Sequence, residues 1–113
     1  MCQEIPRFNQ NEVERMLDAS ALLKTLSHPV RLGILCVIMG QEEINAGRIV
    51  EAFQHQCSPS QVAQYLTMLK EKGLVKTRRE GQCVYYRLGN PVAAEIIQVL
   101  YQHYCQQPTP QEQ

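Results

Sequence analysis

Three helix-start signals of the same form divide this chain of 113 residues. In each signal, a polar residue that can cap a helix comes one or two positions before a proline, at Pro29, Pro59 and Pro91. Proline is favoured in the first turn because the N–H it lacks would have no partner there. The cap is Ser27 or His28 in the first signal, Ser58 in the second and Asn90 in the third. The chain is therefore predicted to start helices near residues 29, 59 and 91.

Apolar residues recur at helical spacing around these signals. They predict a first helix near 11–26, a second from 29 to about Met39, a short third between Ile44 and Gln54, a fourth over 59–72 and a last one from 91. The second helix is apolar on nearly every face, so we expect it to be central and buried. Two β-prone runs, LVKTRR and CVYYRL, are joined by EGQ and predict a hairpin over 74–88.

This element order is that of a winged helix-turn-helix, a mainly α fold with a β-hairpin wing. The segments Ile44–Gln54 and Pro59–Lys72 would form the helix-turn-helix. The chain length suits one domain, predicted over 11–105. Residues 1–10 and 106–113 are polar and rich in Gln and Pro, which predicts flexible tails. The longest apolar run is far below the roughly 20 residues of a membrane span, so we expect a cytoplasmic protein.

Basic residues concentrate around the predicted hairpin. The formal net charge of the chain is zero, but Lys70 to Arg87 holds six basic and two acidic residues, a local +4. A basic patch on one substructure of a neutral protein is typical of an element that contacts DNA. A solvated charged face would give the same pattern.

The fourth helix and the hairpin supply the candidate DNA contacts. A polar helix can enter the major groove while a basic hairpin lies over backbone phosphates. Base or phosphate candidates on the helix are Ser58, Ser60, Gln61, Gln64 and Tyr65. Phosphate candidates on the hairpin are Lys76, Arg78, Arg79 and Arg87. Strand alternation places Arg78 and Arg79 on opposite faces, and Arg87 could instead be an ion-pair partner.

Three segments resemble the bacterial ArsR/SmtB repressors over about residues 21–105. They are LLKTLSHPVRLGILCVI, SPSQVAQYLTMLKEKGLVKTRREGQCVYYRL and NPVAAEIIQVLYQHYC. The resemblance implies a homodimeric repressor whose first and last helices form the dimer interface. It also implies that operator DNA is released when an inducer binds.

The metal ligands of that family are missing from this chain. Where members that sense arsenic, cadmium or lead carry ELCVCDL, this chain has EINAGRI, with Asn45 and Gly47 at the thiol positions. Aligning the zinc motif of the last helix on His103 gives Asn90, Val92, His103 and Gln106, which include one credible ligand. Tetrahedral zinc takes three or four such donors, so neither metal site is predicted and no cofactor is expected.

Two thiols remain, and they resemble the cysteine pair of the BigR, SqrR and HlyU-like branch. Cys36 lies in ILCVI of the second helix and Cys105 in LYQHYC at the end of the last. The resemblance implies that the two thiols face each other and sense persulfide or another small sulfur compound or oxidant. A disulfide or longer sulfur bridge between them would alter the dimer and release DNA.

Three other interpretations stay open. His55 and Cys57 could form a non-standard metal site with Cys2, or with His103 and Cys105. Cys36 could be the nucleophile of a thiol enzyme with His28 or His103 as base, although its apolar neighbours do not indicate a low thiol pKa. A DNA-binding protein without sequence preference would also carry the basic patch.

Overall fold

The computed structural model describes residues 7–105, which hold five helices and three strands. The helices are α1 (Gln10–Leu26), α2 (Pro29–Gln41), α3 (Ala46–Ala52), α4 (Pro59–Glu71) and α5 (Pro91–Tyr104). The strands are β1 (Ile44–Asn45), β2 (Val75–Glu80) and β3 (Cys83–Leu88). The predicted mainly α fold with a hairpin wing is confirmed. Most of the two predicted tails, residues 1–6 and 106–113, lies outside the described residues.

Side-chain caps fix where the helices begin. Asn9 closes a capping box with Glu12, so α1 starts at Gln10, inside the segment predicted to be a tail. His28 is the cap of α2, which decides between the two predicted candidates: its Nδ1 accepts the N–H of Val30 at 3.2 Å. Ser58 caps α4 and Asn90 caps α5, as predicted. Each cap satisfies backbone N–H groups that have no partner within the helix.

The sheet has one strand more than the predicted hairpin. Its order is β1-β3-β2, and all its pairs are antiparallel. Ile44 lies opposite Tyr86 in β3 instead of beginning the third helix. The side chain of Asn45 accepts the N–H of Arg48 at 2.8 Å, which starts α3 at Ala46 and makes it shorter than predicted. The extra strand ties the wing to the start of the helix-turn-helix.

Helix α2 is the centre of the core, as its apolar sequence predicts. Ile34, Leu35 and Ile38 are fully buried. They belong to one apolar cluster with Leu69 of α4 and Ile97 of α5. Burial on this scale is the main favourable term of folding.

No single helix within residues 7–105 is long and apolar enough to cross a membrane. Only α1 and α2 taken together reach that length and composition, and the chain bends by 92° between them.

Candidate dithiol site and nucleic-acid interface

The structure brings the thiols of Cys36 and Cys105 together. Cys36 lies in the second turn of α2 and is 8% exposed, whereas Cys105 caps the C-terminal end of α5 and is exposed. The two residues line the same cavity, Cys105 is near enough to raise the pKa of Cys36, and both are free thiols. Packing of α5 against α2 therefore joins residues that are far apart in the sequence.

Burial, and after it the neighbouring Cys105, raise the pKa of the Cys36 thiol from 9.0 to about 12. Cys105 contributes to this rise because a second negative charge close to the first is unfavourable. Near neutral pH, Cys36 is therefore protonated. A protonated thiol is a poor nucleophile, so the exposed Cys105 is the thiol suited to react first.

The two thiols lie in the wall of an apolar cavity of about 740 Å³. Aliphatic and aromatic side chains form the rest of the wall, and no charged residue lines it. The lining comes from α2, α5 and the end of α3: Pro29, Leu32, Gly33, Val37, Phe53, Leu100, Tyr101 and Tyr104, with the two cysteines. The dithiol is thus in a surrounding of low polarity that remains reachable from outside through Cys105.

Two glycines of α2 shape the packing around this cavity. A Cβ at Gly33 would lie 3.0 Å from a ring carbon of Phe53, and a Cβ at Gly40 would lie 2.7 Å from the hydroxyl oxygen of Tyr101. Both distances are shorter than van der Waals contact, so a larger residue at either position would clash with the aromatic ring. The sequence prediction did not include the cavity. Two glycines seven residues apart in an apolar helix, and hence on one face, were the available signal.

The candidate contacts on α4 differ in how free their side chains are. Ser58 and Gln61 bond to each other's backbone N–H, at 3.0 and 3.1 Å. Ser60 and Gln64 are exposed. Tyr65 is half-buried, and its hydroxyl lies 3.3 Å from Nε2 of His28. Of these five candidates, two have unoccupied side chains, two are used in the cap and one is hydrogen-bonded to His28 at the start of α2.

Arg78 of the wing is held by two carboxylates. Its guanidinium donates two hydrogen bonds of 2.8 Å to Glu43 and one of 2.9 Å to Glu80, and it stacks on the ring of Tyr85. The hydrogen bonds from Arg78 lower the pKa of the Glu43 carboxyl, and the charge of Arg87 adds to this. Sequence reasoning missed Glu43, because its partner is 35 residues away.

Lys76 and Arg79 differ from Arg78. Both are exposed, and neither forms a salt bridge with any residue in 7–105. Arg79 lies opposite Val84 in the hairpin, whereas Arg78 lies opposite Tyr85, so the two arginines point to opposite faces. Lys76 and Arg79 are therefore more available than Arg78 to bind an external anion such as a phosphate.

The remaining cysteines and histidines do not gather into a site in the part of the chain that the structure describes. Cys57 is half-buried and Cys83 is exposed on β3, while Cys2 lies outside the described residues. Within 7–105, no three His, Cys, Asp or Glu side chains are placed to hold a metal ion. Both ring nitrogens of His28 are engaged, one by the α2 cap and one by Tyr65.

The chain is similar to bacterial transcriptional regulators. It is 35% identical over 104 residues to the biofilm growth-associated repressor of Xylella fastidiosa, which covers 91% of this chain and 89% of the repressor. It is 34% identical over 100 residues to the transcriptional activator HlyU of Vibrio cholerae, covering 88% and 90%. The solved structure of reduced HlyU from Vibrio cholerae matches with a TM-score of 0.77 and 33% identity, covering 87% of this chain and all of that one. No protein-family model matches.

Proposed function

This chain belongs to the family of winged-helix transcriptional regulators that includes the biofilm growth-associated repressors and HlyU, and we propose that it is a repressor switched by its Cys36–Cys105 dithiol. In the reduced state a homodimer binds operator DNA. A small sulfur compound or oxidant joins the two thiols and the operator is released. The observation that carries this proposal is that a buried and an exposed thiol lie near each other in the wall of one apolar cavity.

The chemistry follows from the unequal environments of the two thiols. Cys105 attacks the outer sulfur of a persulfide RSSH, which gives Cys105–S–SH and releases RSH. The Cys36 sulfur then attacks the inner sulfur, its proton leaves with the departing group, and H₂S is released as the disulfide forms. The dithiol is oxidised by two electrons and the persulfide is reduced by two. A second persulfide equivalent would leave a longer sulfur bridge.

The packing of α5 against α2 supports a route by which a Cys36–Cys105 bond changes DNA binding. A bond between Cys36 and Cys105 would fix the end of α5 against α2. Large apolar side chains stay exposed on α1 and α5 of the single chain, Met16 and Leu17 on α1 and Val92 and Val99 on α5. Such a patch is typical of a protein–protein interface, which supports a dimer formed by these helices. A shift of α5 would then change the spacing of the two α4 helices.

The DNA contacts in this proposal use the exposed face of α4 and the free cations of the wing. Ser60 and Gln64 reach base edges, with Ser58, Gln61 and Tyr65 closer to the helix start or to α2. Lys76 and Arg79 bind phosphates. Arg78 is the weakest candidate because Glu43 and Glu80 already neutralise it.

The test is operator binding combined with the mass of the reacted protein. Persulfide treatment should produce a linked Cys36–Cys105 peptide. It should also weaken operator binding by roughly 5- to 150-fold, which is the change in affinity that typical allosteric coupling energies produce. Cys36→Ser and Cys105→Ser should bind DNA and stop responding. Cys57→Ser and Cys83→Ser are matched controls and should respond normally.

Two results would contradict the dithiol switch. One is operator release without a Cys36–Cys105 linked peptide, and the other is a Cys36→Ser protein that still releases DNA on treatment. Stoichiometric zinc whose removal changes operator affinity would favour the metal-responsive interpretation instead.

A further inference from the structure

We propose that the cavity beside the dithiol is a binding site for uncharged apolar organic polysulfides, and that it makes them faster inducers than charged sulfur donors of the same reactivity. The inference rests on the proposed function, because Cys105 and Cys36 are the groups that react. It goes further in assigning a ligand class to the cavity and a role to the side chains that line it.

The size and lining of the cavity support this ligand class. Its volume of about 740 Å³ lies within the range of roughly 300–1,000 Å³ that holds small organic ligands. Leu32, Phe53 and Leu100 offer apolar contacts, and no charged side chain is present to pair with a charged ligand. Moving an unpaired ion from water into an apolar cavity costs free energy, whereas the same transfer is favourable for an alkyl group.

The cavity is distinct from the face of α5 that we assign to the dimer. Leu100, Tyr101 and Tyr104 line the cavity, whereas the exposed Val92 and Val99 are seven residues apart and share another face of the helix. The apolar ligand site and the proposed dimer interface therefore use different sides of α5.

The reaction with a dialkyl trisulfide RSSSR balances without a further reagent. The Cys105 thiolate attacks a terminal sulfur, which gives Cys105–S–S–R and releases RSSH after protonation. Cys36 then attacks the Cys105 sulfur, and R–S⁻ leaves with the Cys36 proton as RSH. Two thiols are oxidised to one disulfide while the trisulfide is reduced to RSSH and RSH. The alkyl groups occupy the cavity during the first attack.

The experiment compares two trisulfides that differ in charge, dipropyl trisulfide and bis(carboxyethyl) trisulfide. Thiol loss is followed for each cysteine by peptide mass in the full-length protein. Dipropyl trisulfide should react at Cys105 faster than the dicarboxylate by about tenfold or more. At Cys83, which is exposed and is not part of the wall of this cavity, the two rates should differ much less. Equal selectivity at Cys105 and Cys83 would overturn the inference.

Charge placed at the cavity mouth provides a matched pair of variants. Tyr104 is 80% exposed and lines the cavity, whereas His103 is its exposed neighbour and does not. Tyr104→Lys should speed the reaction of the dicarboxylate at Cys105 by several-fold more than His103→Lys does. An equal effect of the two substitutions would count against recognition inside the cavity.

Binding can be separated from thiol chemistry in a Cys36→Ser, Cys105→Ser protein. This variant should still bind the neutral fluorophore N-phenylnaphthylamine, and dipropyl trisulfide should displace it while the dicarboxylate should not. If dipropyl trisulfide displaces the fluorophore but forms no Cys36–Cys105 link in the wild type, the proposed switch is wrong and the cavity site is still supported. If the fluorophore does not bind, the cavity site is wrong, and this result does not contradict the dithiol switch.

Discussion

The imidazole of His28 and the phenol of Tyr65 connect the start of α2 to the middle of α4. Their rings lie 5.1 Å apart, and Nε2 of His28 is 3.3 Å from the hydroxyl oxygen. Because Nδ1 accepts backbone N–H groups in the α2 cap, the neutral ring carries its proton on Nε2 and donates it to Tyr65. Pro29, the next residue, lines the dithiol cavity. The pair therefore links α4 to the residue that precedes Pro29 in the wall of the dithiol cavity.

Tyr65→Phe tests whether this contact carries the signal. The substitution removes the hydroxyl and keeps the ring, so α4 should stay folded. If the hydrogen bond contributes about 1 kcal/mol to one state only, the ratio of operator affinities between reduced and bridged protein should change by roughly fivefold. The measurement is operator titration of both states. An unchanged ratio with weaker binding in both states would instead make Tyr65 a DNA contact.

The reactivity of the two thiols should differ strongly. Because burial and Cys105 raise the pKa of Cys36 to about 12, its thiolate is scarce at pH 8. We expect iodoacetamide to alkylate Cys36 at least about tenfold more slowly than Cys83. Cys105→Ala removes one cause of the raised pKa, so it should speed alkylation of Cys36. Equal rates at Cys36 and Cys83 in the native protein would contradict the order of reaction proposed above.

The raised pKa of Cys36 also makes stability depend on pH. Between 9.0 and about 12 the folded state holds the Cys36 proton while the unfolded state loses it, so stability falls as pH rises through this range. Cys36→Ala removes this titration. Its free energy of unfolding, measured with urea, should lose less than that of the wild type between pH 8.5 and 10, a window chosen to span the start of the transition. Parallel pH profiles would contradict the assignment.

Arg78→Ala and Arg79→Ala should separate wing structure from DNA binding. Arg79 is unpaired within residues 7–105, so its removal should weaken binding to all duplexes and lower the salt slope by about 1. Arg78 is neutralised by Glu43 and Glu80, so its removal should change the salt slope less and lower the melting temperature more. The reverse order would place Arg78 on the phosphates.

Acid should weaken the same wing contact. Because Arg78 depresses the pKa of Glu43, their pair stabilises the folded state above the ordinary carboxyl pKa, and that stability is lost as pH falls through the depressed value. Glu43→Gln should remove this acid-dependent part. Thermal melts at neutral and acidic pH measure it, and a melting temperature that falls equally in both proteins would exclude the pair as its source.

Gly40→Ala should destabilise the packing of α2 against α5. The added Cβ would lie 2.7 Å from the Tyr101 hydroxyl oxygen, and overpacking of this kind costs about 1–3 kcal/mol. Combining it with Tyr101→Leu should restore part of the loss, because the smaller side chain leaves room. Urea unfolding of the two single variants and the double variant checks this. A strictly additive double variant would show that the two residues do not interact.

The sequence by itself determined the order and most boundaries of the elements. Caps and prolines act within a few residues, so Ser58, Pro59 and Asn90 predicted helix starts that the structure has. Hydrophobic periodicity likewise assigned α2 to the core. One local prediction was wrong. The sequence pattern placed Ile44 at the start of the third helix, but Ile44 pairs with Tyr86 of β3 and lies in a strand.

Only the tertiary structure decided which side chains meet. The shared cavity wall of Cys36 and Cys105, the hydrogen bond of His28 to Tyr65 and the hydrogen bonds of Arg78 to Glu43 each bring together residues at least 35 positions apart. The cysteine pair could be suggested from resemblance, but its unequal burial and its apolar cavity depend on how α5 lies on α2. Such contacts arise from packing between elements, and no short-range pattern of residues specifies them.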